Sequence, residues 1–152
     1  MKLTAKKDTT LYNDYVTVRY RELTPAIHQI FQICEDTGSI LLCEKDSTTH
    51  RVDVNDIFYI EWVDSKSCVY TKDEVFTMPT PLNHLEESLR NWHFVRISKM
   101  ALVNIYKIKS ISNGMQFRLT AGLLNGEKVV INRHYRKGLL YAINNLAREV
   151  AR

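Results

Sequence analysis

The stretch His93–Asn104, HFVRISKMALVN, sets two cations, Arg96 and Lys99, among Phe94, Val95, Ile97, Ala101, Leu102 and Val103, with no acidic residue in between. Cationic side chains in an apolar segment either snorkel to water along their stems or are fixed for a purpose. The charge around this stretch is lopsided. Residues 1–89 contain nine Lys/Arg against fifteen Asp/Glu, whereas residues 90–152 contain twelve against two. A basic surplus so one-sided repels itself and points to a polyanionic partner, with a solvated basic face as the plainer alternative.

Working outward, Thr80-Pro81 supplies an N-cap and a first-turn proline, and Leu82, Leu85 and Leu89 predict a short helix feeding into His93. On the other side, Tyr106, Ile108 and Ser110 alternate with Lys107, Lys109 and Ile111. Asn113-Gly114 then predicts a hairpin with both turn residues at positive φ. Met115, Phe117 and Leu119 continue as a strand alternating with Gln116, Arg118 and Thr120, and Asn125-Gly126 leads into EKVVI, completing a three-stranded meander. A closing helix takes Asn132 as N-cap and aligns Tyr135, Leu139, Ile143, Leu146 and Val150 on one face. Arg133, His134, Arg136 and Lys137 crowd its start, where cations oppose the helix dipole at a cost of a few tenths of a kcal/mol each. A bound anion would reverse that sign; the other reading extends these side chains into water.

Before the central stretch, Tyr15–Glu22 alternates as a strand, Thr24-Pro25 starts a helix through Ile27, Ile30, Phe31 and Cys34, and SILLCEK reads as a buried strand after Gly38. Residues 1–50 are therefore expected to form a small β-α-β extension serving dimerisation or regulation, and residues 51–152 the main domain. From Arg51 onward, RVDVNDIFYIEWVD, a polar Asp64-Ser65-Lys66-Ser67 loop, CVYT and VFTM predict another antiparallel meander. The extension is too short for a phosphorylatable receiver domain, which needs several βα units.

The chemistry on offer is sparse. His28, His50, His84, His93 and His134 are scattered outside any metal-binding spacing, and no glycine-rich phosphate loop or nucleophile elbow occurs. Cys34, Cys43 and Cys68 form an odd, widely spaced set that reads as buried or half-buried thiols. No enzyme activity, metal, cofactor or small-molecule substrate is expected. No apolar run approaches the roughly 18 residues of a membrane span, and the N-terminal lysines are followed by Asp8, Thr9 and Thr10, so a cytoplasmic location is expected. Trp62 and Trp92 read as interior residues in preference to base-stacking ones.

YIEWVDSKSCVYT, LNHLEESL, HFVRISKMALVNIYKIKSI and VVINRHYRKGL, taken together from about Val52 to Leu146, resemble the LytTR-type DNA-binding domain of bacterial transcription regulators. The most specific parts are the F-x-R-I-x-x-x-x-L-V-N core and Arg133-x-Tyr135. The resemblance implies a mainly β, elongated antiparallel fold with short helices, whose loops enter successive major grooves of duplex DNA and bend it. It also implies a stand-alone regulator, bound as a homodimer to direct repeats in promoters and restrained by a small membrane protein. Carried over residue by residue, it assigns DNA contacts to Lys66 and Ser67, to Ser98 and Lys99, and to Arg133. Lys107, Arg136 and Lys137 are candidates for neutralising phosphates, and Arg96 reads equally as a DNA contact or a structural ion-pair partner. The family commonly has histidine at Ser98, serine at Met100 and serine at Asn132, so the target sequence is expected to differ. A protein-interaction adaptor or RNA-binding module using the same basic face is the rival reading.

Overall fold

The structure is a computed structural model that describes residues 2, 4–7, 17–36 and 40–150. Compact units divide between Cys34 and Glu35. Helix α1 (Pro25–Asp36) starts as its sequence dictates: the Thr24 hydroxyl oxygen accepts from the Ile27 amide at 3.4 Å and the Thr24 carbonyl from the His28 amide at 3.0 Å. The Tyr20 ring meets Phe31 edge-on at 5.8 Å. The strand expected over Tyr15–Glu22 is not formed by Thr17–Tyr20, which is irregular, while Tyr15 and Val16 lie outside the described residues. Strand β1 (Ile40–Lys45) has both edges occupied, by β2 (Thr48–Asp53) and β5 (Val75–Met78).

The second unit is strand-rich and antiparallel. Strands β3 (Tyr59–Val63), β4 (Lys66–Tyr70), β6 (Phe94–Ser98) and β7 (Ala101–Asn104) complete a seven-stranded sheet of order β2-β1-β5-β4-β3-β7-β6. A separate three-stranded sheet, ordered β10-β9-β8, comprises β8 (Ile108–Asn113), β9 (Leu119–Leu123) and β10 (Lys128–Ile131). Helix α2 (Leu82–Ser88) follows β5, and α3 (Arg136–Val150) closes the chain.

Period-two alternation sorts the side chains into two cores. Cys43, Val52, Val69, Phe76, Ile60, Phe94 and Leu102 meet Leu82, Leu85 and Leu89 on one side of the large sheet. Phe58, Ile97, Ala101 and Val103 leave the other side and meet Leu119, Ala121, Leu123, Val129, Ile131 and Leu139. Trp62 and Trp92 pack against the first core, as expected of interior residues. Tyr135, Ile143 and Leu146 pack against the second; the side chains of Cys34, Phe117 and Val150 fall outside the described set. Burial pushes the Cys43 thiol up to about 11 and raises that of Cys68 as well, so both stay protonated near neutrality.

The turns differ from the sequence expectation. Asp46-Ser47 (φ 51° and 61°) and Asp64-Ser65 (φ 49° and 63°) make the tight two-residue hairpins with paired positive φ. Asn113-Gly114 does not: Asn113 pairs with Leu119 in the ladder, and Gly114 is extended at φ −100°. The Gly114 amide donates to the Arg118 carbonyl at 2.7 Å, leaving Met115, Gln116 and Phe117 as the turn, and the left-handed position falls on Gln116 at φ 59°. In the next connection only Gly126 is left-handed, at φ 87°, while the Asn125 side chain accepts from the Glu127 amide at 3.0 Å.

Leu102 is fully buried within the large sheet. Leu102→Ala is expected to lower the unfolding free energy by about 2–5 kcal/mol, measured by urea denaturation. A loss comparable to that of the half-exposed Val130→Ala, whose side chain is 50% accessible, would contradict this packing.

Candidate nucleic-acid interface

Hydrogen bonds bring two hairpin turns and one strand-to-helix junction to one end of the large sheet. Val63 pairs with Lys66 at the β3–β4 turn, and the Trp62 amide donates to the Met100 carbonyl at 2.8 Å, which sets the β6–β7 turn beside it. The Asn132 amide donates to the Ile97 carbonyl at 2.9 Å, so Arg133 leaves β10 next to Ser98. Lys66, Lys99 and Arg133, far apart in sequence, are thus exposed around one end of the sheet.

The β6–β7 turn is held from behind. Arg96 Nε and Nη2 reach Glu86 Oε2 at 2.9 and 2.8 Å, Nη2 also donates to Asn83 Oδ1, and Nη1 donates to the Lys99 carbonyl at 2.7 Å. Its side chain is only 13% exposed, and Arg96 braces the turn against α2, which is the structural one of its two expected roles. Ser98 Oγ accepts from the Met100 amide at 3.1 Å, beside a register shift between Arg96 and Ser98. That uses the oxygen as acceptor and keeps the hydroxyl hydrogen as a donor for a ligand. Lys99 and Met100 stand at the exposed tip.

Two further candidates are relocated. Ser67 is fully buried as the second residue of β4, and its hydroxyl donates to the Thr80 carbonyl at 2.7 Å, so its side chain fixes the entry to α2. Lys107 lies at the other end of the sheet, its Nζ 5.1 Å from the centre of the Phe58 ring. It lines a pocket of about 400 Å³ in which Arg51, Lys72 and Lys107 face Asp53, Asp56, Asp73 and Glu74, so the charges of the two signs largely offset each other there. Arg136 and Lys137 do remain with the basic end, as the first residues of α3. Ahead of them, Arg133–Tyr135 forms a 3₁₀ turn, and Asn132 contributes its carbonyl to the Tyr135 amide at 2.9 Å with no side-chain cap.

Sequence reading missed two neighbours of Arg133, namely Gln116 and Arg118. Gln116, Arg118 and His134 line a cleft of about 530 Å³ with Asn132 and Arg133. Arg118 had the signal of charge but was placed on a strand face, because the Met115–Leu119 alternation concealed the turn.

These features define a class: an antiparallel β module with basic turns gathered at one end. The profile of the LytTr DNA-binding domain matches residues 47–144, and the chain belongs to that family. Among relatives, it is 23% identical over 101 residues to the sensory transduction protein LytR of Staphylococcus saprophyticus, covering 66% of this chain and 40% of that one. It is 24% identical over 103 residues to the transcriptional regulatory protein LytR of Staphylococcus aureus, covering 68% and 42%. The chain therefore matches less than half the length of these relatives. The LytTr DNA-binding domain of a Bacillus cereus methyl-accepting/DNA response regulator shares the fold with a TM-score of 0.65 at 22% identity, over 69% of this chain and 96% of that one.

Arg96→Ala is expected to lower unfolding stability by about 1–3 kcal/mol, because Glu86 and the Lys99 carbonyl lose a charged partner together. Arg96→Lys should recover only part of it, since an ammonium cannot reproduce the fork. Denaturation midpoints of the two variants that match the unaltered protein would remove the brace.

Proposed function

We propose that this protein is a sequence-specific duplex-DNA-binding transcription regulator. The observation that carries the reading is the gathering of Lys66, Ser98-Lys99 and Arg133 at one end of the sheet by backbone hydrogen bonds. Arg133 supplies a fork suited to guanine in the major groove, Lys99 a single mobile donor, and Ser98 a short hydroxyl that reaches a base edge only on close approach. Lys66 and Lys137 neutralise backbone phosphates.

The turns enter successive major grooves, and a duplex must curve to present those grooves to one compact surface. Smooth bending of a site by 40–90° costs on the order of 1–6 kcal/mol, offset by the added contacts. Two protomers on direct repeats, and restraint by a small membrane protein, belong to the same proposal and rest on family likeness alone. Among the described residues no helix is long and apolar enough to cross a membrane.

Fluorescence anisotropy against a duplex selected from a random library and its scrambled counterpart tests the reading. The protein should prefer the selected site by several kcal/mol while overall affinity falls with salt. Lys99→Ala and Arg133→Ala should each remove about 1–3 kcal/mol of that preference with the melting temperature unchanged. Equal binding to both duplexes would end the proposal, and tighter binding to RNA or to an acidic protein would favour the rival adaptor.

A further inference from the structure

The β8–β9 connection is built in an unusual way for an exposed turn. Gln116 holds a left-handed backbone (φ 59°, ψ 39°), which costs a non-glycine residue about 1–2 kcal/mol. The conformation is closed by the Gly114 amide on the Arg118 carbonyl at 2.7 Å and the Arg118 amide on the Met115 carbonyl at 3.3 Å. Arg118 itself projects from a fixed point, because the next residue, Leu119, is buried in the second core.

Two concavities meet at this turn. One, of about 530 Å³, joins Gln116 and Arg118 to Arg133; the other, of about 460 Å³, joins the same two residues to Arg136 and Asn113. Neither lining includes a carboxylate. Among the described residues, Arg118 and Arg136 also have no acidic partner within ion-pair distance. Two guanidinium groups facing one hollow, with side-chain amides as further donors, suit a tetrahedral oxyanion. Its position beside Arg133 selects the source. A side chain that enters a groove brings the phosphates of the groove wall against the residues flanking it.

We propose that the β8–β9 turn and the start of α3 form a phosphate cradle, in which Arg118 and Arg136 together hold one backbone phosphate beside the groove that Arg133 enters. The inference rests on the DNA-binding reading above. It adds Arg118 and the β8–β9 turn to Arg136, already a candidate for neutralising phosphate, and gives the pair one shared phosphate and a role in affinity, not in base discrimination.

The test is the salt dependence of binding by the full chain carrying Arg118→Ala and Arg136→Ala together, on the selected and scrambled duplexes, between about 50 and 200 mM salt. One lost phosphate contact should reduce the slope of log K against log salt by about 0.9. Affinity should fall by the same factor on both duplexes, leaving the site preference intact. An unchanged slope would overturn the cradle, and so would a loss of preference at constant slope, which would make these arginines base readers. If the unaltered protein shows no preference between duplexes, the regulator reading fails, yet the slope on scrambled duplex still decides the cradle. Should the alanine protein melt early, Arg118→Gln with Arg136→Gln removes the charges while keeping much of the side-chain volume, and the same slope applies.

Discussion

The β6–β7 hairpin belongs to two cores at once. Phe94 and Leu102 close the core under α2, whereas Ile97, Ala101 and Val103 close the one shared with the small sheet and α3. Side chains alternate along a strand, so a slip of one residue would send each set into the wrong core. Asn104 guards against that slip. Its Nδ2 donates to the Ile57 carbonyl at 2.9 Å, its Oδ1 accepts from the Tyr106 amide at 3.1 Å, and its own amide donates to the Phe58 carbonyl at 2.9 Å. A buried amide satisfied in this way fits only one register, because any other would strand polar groups away from water.

Fixing the hairpin also fixes the turn at its tip. The Lys99 carbonyl is taken by Arg96, the Met100 carbonyl by Trp62 and the Met100 amide by Ser98. With these backbone groups engaged, Lys99 is presented from a rigid base, and the entropy of ordering the turn is spent on folding before any ligand arrives. The Glu86–Arg96 pair has a second consequence for binding: it neutralises an arginine just behind the tip. Counting cations along HFVRISKMALVN therefore overstates the charge this segment offers to DNA.

Much of the fold was legible because its determinants are local. Alternation located most of the strands though it misled over Thr17–Tyr20 and Met115–Phe117, leucine spacing located α2, and Thr24-Pro25 located the start of α1. What sequence could not supply was partnership. Two separate three-stranded meanders were expected, yet β1, β2, β6 and β7 join the first of them into seven strands, since pairing is decided by edges far apart in the chain. Turn chemistry misled for a related reason. Asn113-Gly114 has the residues of a tight turn, but the ladder runs on through Asn113, and pairing overrides local preference. The site was readable to the same depth. Family likeness singled out Lys66, Lys99 and Arg133, which the fold exposes at one end, while the burial of Ser67 under Thr80 and the position of Lys107 at the far end are properties of the assembled sheet that no local pattern carries.

The charge imbalance between the halves of the chain has a spatial counterpart, although it is not the simple split the sequence suggests. At the far end, Asp53, Asp56, Asp73 and Glu74 face Arg51, Lys72 and Lys107 across one pocket, so the fields of the two signs largely offset each other. At the tip end, Asp64 stands beside Lys66, Lys99, Arg118 and Arg133, and the cations prevail. A molecule charged in this way is turned by the field of a polyanion before contact, over distances of roughly one Debye length, about 8–10 Å at physiological salt. In the proposed DNA-binding role, the turns would consequently lead the approach to the duplex.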